Sequence, residues 1–198
     1  MVRSQLAWFD RGGRQTGLLG GPADYSDVEL SPDGQRLAVS VLDPAEEMLL
    51  AGGVGKFPSD WSPDGRHILY IAGGAAIARS DLFVLPLFGD KKPFPYLETS
   101  FTETRGRFSP DGQWIAYASN ESGQLEIYVA RFPKPGERWR VSAAGGIWPR
   151  WRRDGKEIVY LSPDNMLMAA TVTAGAAGFE AASTPITLVV NWTAGLRK

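Results

Sequence analysis

The sequence predicts an all-β fold, a partial β-propeller of four-stranded blades with about four blades plus a half. Three observations predict it. A strand–turn–strand motif recurs four times, with its aspartates at Asp33, Asp64, Asp111 and Asp154. Two of the three intervals, 47 and 43 residues, match the length of a four-stranded blade, while the first, 31, is short. The 23 glycines and 14 prolines among 198 residues mark frequent turns, and 11% aromatics give the strands between them bulk for a core.

The four copies align without gaps. They are Leu30-Ser-Pro-Asp-Gly-Gln-Arg-Leu-Ala-Val, Trp61-Ser-Pro-Asp-Gly-Arg-His-Ile-Leu-Tyr, Phe108-Ser-Pro-Asp-Gly-Gln-Trp-Ile-Ala-Tyr and Trp151-Arg-Arg-Asp-Gly-Lys-Glu-Ile-Val-Tyr. A large apolar residue ends the first strand. Proline then presets φ, aspartate accepts from nearby backbone N–H groups, and glycine takes the positive φ of a tight turn. The second strand carries Leu37/Val39, Ile68/Tyr70, Ile115/Tyr117 and Ile158/Tyr160 at period-2 spacing. Its alternate position is also apolar (Ala38, Leu69, Ala116, Val159), as expected of a strand covered on both faces.

A third strand is expected over 81–87, 125–132 and 165–172, and 5–10 matches it, so the chain is read as opening in mid-blade. A more polar outer strand follows at 15–19, 92–97, 138–142 and 186–190. The short first interval leaves one blade incomplete. Residues 43–52 carry both a helix signature (Asp43 as N-cap, Pro44, Glu46, Gly52) and, by the repeat, an outer strand over 47–50; the repeat favours the strand. The chain thus reads as one propeller domain over 1–198: a half blade 1–22, a shortened blade 23–55, blades 56–99, 100–142 and 143–190, and a tail 191–198.

Composition narrows the function. Twenty-one basic against 22 acidic residues argue against a nucleic-acid platform. With no cysteine and a single histidine, His67, there is no thiolate chemistry, no multi-histidine metal site, and any serine triad would have to use His67. No apolar leader core is visible at the N-terminus, and the longest weakly polar run, 68–78, is half a membrane span, so neither a secretory signal nor membrane insertion is expected.

The candidate site residues are few. Asp33, Asp64, Asp111 and Asp154 are read as turn caps, one per blade, rather than a ring of metal ligands. His67 shares its repeat position with Arg36, Trp114 and Glu157, a variety that fits a solvent-facing or blade-edge site. Trp61 and Trp151 share theirs with Leu30 and Phe108 and are read as core; Trp8 is read as packing. Trp114, Trp139, Trp148 and Trp192 have no such explanation. Trp148 beside Arg150, Arg152 and Arg153 is the candidate partner-binding cluster, with Lys156 following in the same turn. Lys91, Lys92, Arg105 and Arg107 are read as solvated blade edges.

The repeated turns, Ser-Pro-Asp-Gly in three of the four copies, each preceded by a large apolar residue and followed in three of the four by Ile-x-Tyr, resemble the WD-like β-propeller repeat of the TolB family over nearly the whole chain. More narrowly, the stretches beginning at Lys56, Gly106 and Pro149 look like the C-terminal sensor propeller of membrane-anchored bacterial Ser/Thr protein kinases. The fourth copy departs from the pattern, with Arg152-Arg153 in place of Ser-Pro. The resemblance implies a sensory propeller, but no glycine-rich phosphate loop, His-Arg-Asp or Asp-Phe-Gly motif is present, so kinase activity is not carried over.

The expected function is therefore a non-catalytic binding or scaffold module without cofactor or metal. Its expected partner is a protein or peptide, with a small molecule as the other ligand class and no nucleic acid. The alternatives are an accessory propeller fragment of a peptidase-like enzyme and a truncated product without independent function. Localisation follows the parent: cytoplasmic for a stand-alone chain, outside the membrane for a piece of an anchored one.

Overall fold

The computed structural model describes residues 4–41, 50, 55–73, 79–175 and 178–185. Among them every regular element is a β-strand. The chain divides into two compact units, Met1–Glu98 and Thr99–Lys198.

The first unit holds three antiparallel sheets. Strands β1 (Ser4–Phe9) and β2 (Gln15–Ala23) form a hairpin, β3 (Tyr25–Leu30) and β4 (Leu37–Val41) a second pair. Strands β5 (Gly55–Trp61), β6 (His67–Gly73), β7 (Ser80–Pro86) and β8 (Phe94–Leu97) form a complete four-stranded blade in chain order. The second unit holds two such blades. One is β9 (Glu103–Phe108), β10 (Trp114–Ser119), β11 (Glu126–Arg131) and β12 (Arg138–Arg140). The other is β13 (Ile147–Trp151), β14 (Glu157–Leu161), β15 (Leu167–Gly175) and β16 (Gly178–Pro185). Three complete blades and two two-stranded sheets make a partial propeller.

Two expectations meet the structure differently. The outer strand described in the last blade is β16 at Gly178–Pro185, and the expected 186–190 lies outside the described residues. Gly175 of β15 pairs with Gly178 of β16, which has φ 138°, so the outer strand begins earlier than the repeat spacing implies. The outer strand or helix at 43–52 falls, apart from Leu50, outside the described residues, as does Trp192.

Every motif copy has the same register. The apolar residue before the turn pairs with the third residue after the glycine: Leu30 with Leu37, Trp61 with Ile68, Phe108 with Ile115, Trp151 with Ile158. The alternation read in the second strand sets the core. Ile115, Ala116 and Tyr117 of β10 have no exposed surface, and β6 buries Ile68, Leu69 and Tyr70. In β4 and β14 only one of the two faces is comparably covered: Ala38 is buried between half-buried Leu37 and Val39, and Ile158 and Tyr160 flank half-buried Val159.

In the first unit Ala38 of β4 packs with Trp61, Ile68, Tyr70 and Leu85, and Arg36 lies 5.1 Å from the Trp61 ring. In the second unit the two blades share one core. Trp114, Ala116 and Ala118 of β10 and Ile127 and Val129 of β11 meet Ile158, Tyr160, Ala170, Val172 and Phe179. Burial of each large apolar side chain contributes about 1.5–3 kcal/mol. The indole Nε1 of Trp151 donates to the carbonyl of Arg107 at 3.1 Å, so the residue before one turn is anchored on the preceding blade.

Candidate functional site

The turns are built identically. In each, the residue at the first turn position donates its N–H to the carbonyl five residues on, and the glycine N–H returns to its carbonyl: Ser109 N to Trp114 O at 2.8 Å and Gly112 N to Ser109 O at 2.9 Å. The glycine has φ near +70° in all four, the left-handed region where a side chain is strained. The aspartate carboxylate caps the loop. Asp33, Asp64, Asp111 and Asp154 each accept, at 3.0 Å through Oδ1, the N–H of the residue two positions on. Ser31, Ser62 and Ser109 each donate a hydroxyl to that oxygen at 2.5 Å. The same serine oxygens accept backbone N–H groups of Arg36, His67 and Trp114 at 2.9, 2.9 and 3.0 Å. A related turn joins β14 to β15, where the Ser162 hydroxyl donates to Asp164 and Asn165 takes φ 61° in the place of glycine.

The β13–β14 turn performs this task with different chemistry. Arg152 stands where the others have serine. Its guanidinium grips Asp154 through Nε at 2.8 Å and Nη2 at 2.7 Å, and reaches Glu157 through Nη1 at 2.6 Å. Arg153 stands where the others have Pro32, Pro63 and Pro110. It gains an N–H and an extended cation, and like Lys156 it is exposed.

Arg153 borders a cleft of about 670 Å³ in the second unit. One wall is the β13–β14 turn with Arg153, Asp154 and Lys156; the opposite wall is the β9–β10 turn with Ser109, Pro110 and Asp111. Trp114 and Trp151 line it, and β15 adds Thr171 and Thr173, both exposed, on either side of buried Val172.

The Arg152 hydrogen bonds hold the Asp154 carboxyl down at about 2, against an ordinary 3.8, with the Lys156 N–H second. The Ser31 and Ser162 hydroxyls lower Asp33 and Asp164 in the same sense. At Asp64 partial burial pushes the other way, and the Ser62 hydroxyl and the Arg66 N–H outweigh it. A folded-state pKa below the unfolded one stabilises the fold above the unfolded value. That stabilisation is lost as pH falls from 3.8 through about 2 at Asp154. Arg152→Gln is expected to move the Asp154 midpoint back up toward 3.8, read from its carboxyl NMR shift; an unmoved midpoint would contradict the assigned cause.

The structure separates the sequence-derived cluster. Arg153 and Lys156 line the cleft, and Arg152 is engaged in holding the turn. Trp148 and Arg150 lie on β13 and are exposed, Trp148 at 47%. Trp114 and Trp139, unexplained by the repeat, meet each other at 5.6 Å and Phe179 at 5.5 and 6.2 Å. The repeat position shared by His67 and Trp114 is not solvent-facing throughout. Trp114 is 3% exposed because β16 brings Phe179 onto it, and half-buried His67 has its pKa lowered by burial first, although Asp64 pulls the other way. Among the described residues no three histidine, aspartate or glutamate side chains gather as a metal set.

Sequence reasoning missed two things. Thr171 and Thr173 carry no motif and reach the cleft only through pairing of β15 with β14. Asp27, Arg105 and Trp148, each six residues before a turn aspartate, all take positive φ (45°, 56° and 54°) at irregularities of β3, β9 and β13. A glycine or asparagine there would have signalled the bend; the arginine and tryptophan do not, and an aspartate alone is too common in turns to mark it.

No family model matches the chain. It is 28% identical over 158 residues to an uncharacterized protein of Agrobacterium fabrum, covering 70% of this chain and 51% of that one. The chain thus spans about half the length of that curated relative. Among solved structures it superposes on TolB from Acinetobacter baumannii with a TM-score of 0.64 at 20% identity, over 93% of this chain and 49% of that one. The Swd1 β-propeller domain of Myceliophteria thermophila gives 0.64 at 13%, over 96% and 68%. The fold is a TolB-like β-propeller. A prolyl endopeptidase also matches, at TM-score 0.57 and 14% identity over 85% of this chain and 30% of that one, so this propeller fold is shared with proteins named as enzymes. Among the propeller's described residues no helix is long and apolar enough to cross a membrane.

Proposed function

We propose that this propeller is a non-catalytic binding module whose turn-lined cleft in the second unit receives the bound group. One observation carries the reading. Each motif carboxylate is engaged in capping its own turn, so the residues most available for acid–base work are occupied in holding backbone. The cleft cations, Arg153 in place of the repeat's proline and Lys156 after the turn glycine, are binding groups rather than proton-transfer groups at neutral pH. TolB and Swd1 propellers share the fold, which supports a module presenting loops from rigid sheets. A sensory role like that of kinase-linked propellers is the finer form of this proposal, and it rests on the sequence resemblance alone.

The test is a thermal-shift screen of the chain against peptides and metabolites, followed by mass analysis of each ligand after incubation. Ligands that raise Tm and are recovered unchanged support the module. Turnover that disappears on changing a cleft carboxylate would make it an enzyme instead.

A further inference from the structure

The cleft has a chemical polarity that goes beyond a generic binding face. No carboxylate among the described residues pairs with Arg153 or Lys156. Both Asp154 oxygens take the Arg152 guanidinium, and the Lys156 ammonium acts on that carboxylate only through space, without an ion-pair contact. The wall formed by Arg153 and Lys156 therefore offers two cations with open donors. The facing wall is of another kind. Asp111 accepts from Ser109 and Gln113 through Oδ1, while its Oδ2 has no hydrogen-bond partner among the described residues and remains an acceptor. Thr171 and Thr173 add hydroxyls that both donate and accept. The aromatic edges of Trp114 and half-buried Trp151 supply apolar surface between the walls.

Resting on the binding-module reading, we propose that this cleft binds a hydroxylated organic anion of about monosaccharide size. Its acid group is held by Arg153 and Lys156, and its hydroxyls by Asp111, Thr171 and Thr173. Three arguments favour this class. The volume, about 670 Å³, falls among small-molecule sites. The Asp111 carboxylate repels a second negative charge and accepts from hydroxyls, which selects against a polyacidic peptide and for a molecule anionic at one end only. One cation of the wall, Arg153, replaces the proline of the other three turns, and Arg152 in place of serine takes up Asp154; a local break in an otherwise consistent repeat marks a specialised position. The acid group can be phosphate or carboxylate; both meet a guanidinium and an ammonium in the same way.

Calorimetric titration of the full chain with glucose 6-phosphate, gluconate, glucose and inorganic phosphate tests it. Expected is a Kd for at least one charged sugar at least tenfold below those of glucose and inorganic phosphate, and which of the two wins tells phosphate from carboxylate. Arg153→Gln with Lys156→Gln is expected to raise that Kd at least tenfold with Tm unchanged, both side chains being exposed. Thr171→Val with Thr173→Val is expected to raise it several-fold. The proposal falls if neither charged sugar binds below 10 mM, if the double glutamine variant binds like the parent, or if polyglutamate binds more tightly than either sugar. A ligand from the thermal-shift screen that binds independently of Arg153 and Lys156 leaves the module reading standing and removes this site. Conversion of a bound sugar keeps the site and removes the non-catalytic reading.

Discussion

Trp114→Ala is expected to destabilise the second unit by about 3–5 kcal/mol, the cost of truncating a large buried aromatic. Trp114 opens β10 and is 3% exposed. Its ring meets Trp139 edge-on at 5.6 Å and Phe179 at 5.5 Å, and the Arg131 guanidinium lies over it at 4.4 Å. Trp139 comes from β12, Phe179 from β16 and Arg131 from β11, so one indole joins strands of both blades. Removing it leaves a cavity bordered by two rigid rings and strips the cation of its aromatic face. Urea unfolding of the chain followed by far-UV circular dichroism measures the loss. Trp148→Ala serves as the comparison: at 47% exposure it is expected to change stability by under about 0.5 kcal/mol. Equal midpoints for the two variants would show that the aromatic cluster does not join the blades.

Ser142→Ala is expected to cost about 2–4 kcal/mol although it deletes a single oxygen, because that oxygen serves two buried groups. The Ser142 hydroxyl donates to Oε2 of Glu126 and accepts the backbone N–H of Ile127 at 2.7 Å. Glu126 and Ser142 are each 1% exposed, and Ile127 has no exposed surface. The other Glu126 oxygen takes the Gln124 amide at 2.8 Å. Alanine leaves a buried carboxylate short of a donor and a buried N–H without an acceptor. Combining it with Glu126→Leu removes the stranded carboxylate, so the loss in the double variant is expected to be at least about 1 kcal/mol smaller than the sum of the single losses. Additive losses in a denaturant cycle would contradict the pairing.

The repeat made most of the architecture legible. Turn chemistry is local: an aspartate and a glycine in fixed order leave the backbone few alternatives, and the register from Leu30–Leu37 to Trp151–Ile158 follows from it even where arginine replaces proline. Strand positions follow because a period-2 apolar pattern can bury only one way. What escaped has non-local causes. Burial of Trp114 depends on Phe179, 65 residues later, arriving from a strand the repeat spacing places too late. The cleft was half legible. Arg153 stood out against the repeat with Lys156 following in the same turn, but Thr171 and Thr173 acquire a role only once β15 is paired. The left-handed positions of Asp27, Arg105 and Trp148 were silent because the surrounding sheet, not the residue type, imposes them. Ser162-Pro163-Asp164-Asn165 was readable as a related turn, yet it falls between second and third strands, where the repeat has no counterpart.

The exchange of a hydroxyl for a guanidinium at one of four equivalent turns has a consequence beyond shape. Three turns are closed by neutral donors at 2.5 Å, and their closure is indifferent to dissolved ions. The fourth is closed by an exposed ion pair, and mobile ions weaken such pairs as the screening length contracts from about 10 Å at 0.1 M to about 3 Å at 1 M. One hairpin of the propeller thus responds to the ionic composition of its medium while its three counterparts do not, and it is the hairpin whose wall holds Arg153 and Lys156. Raising salt therefore acts twice at this place, loosening the support and shielding the charges it presents.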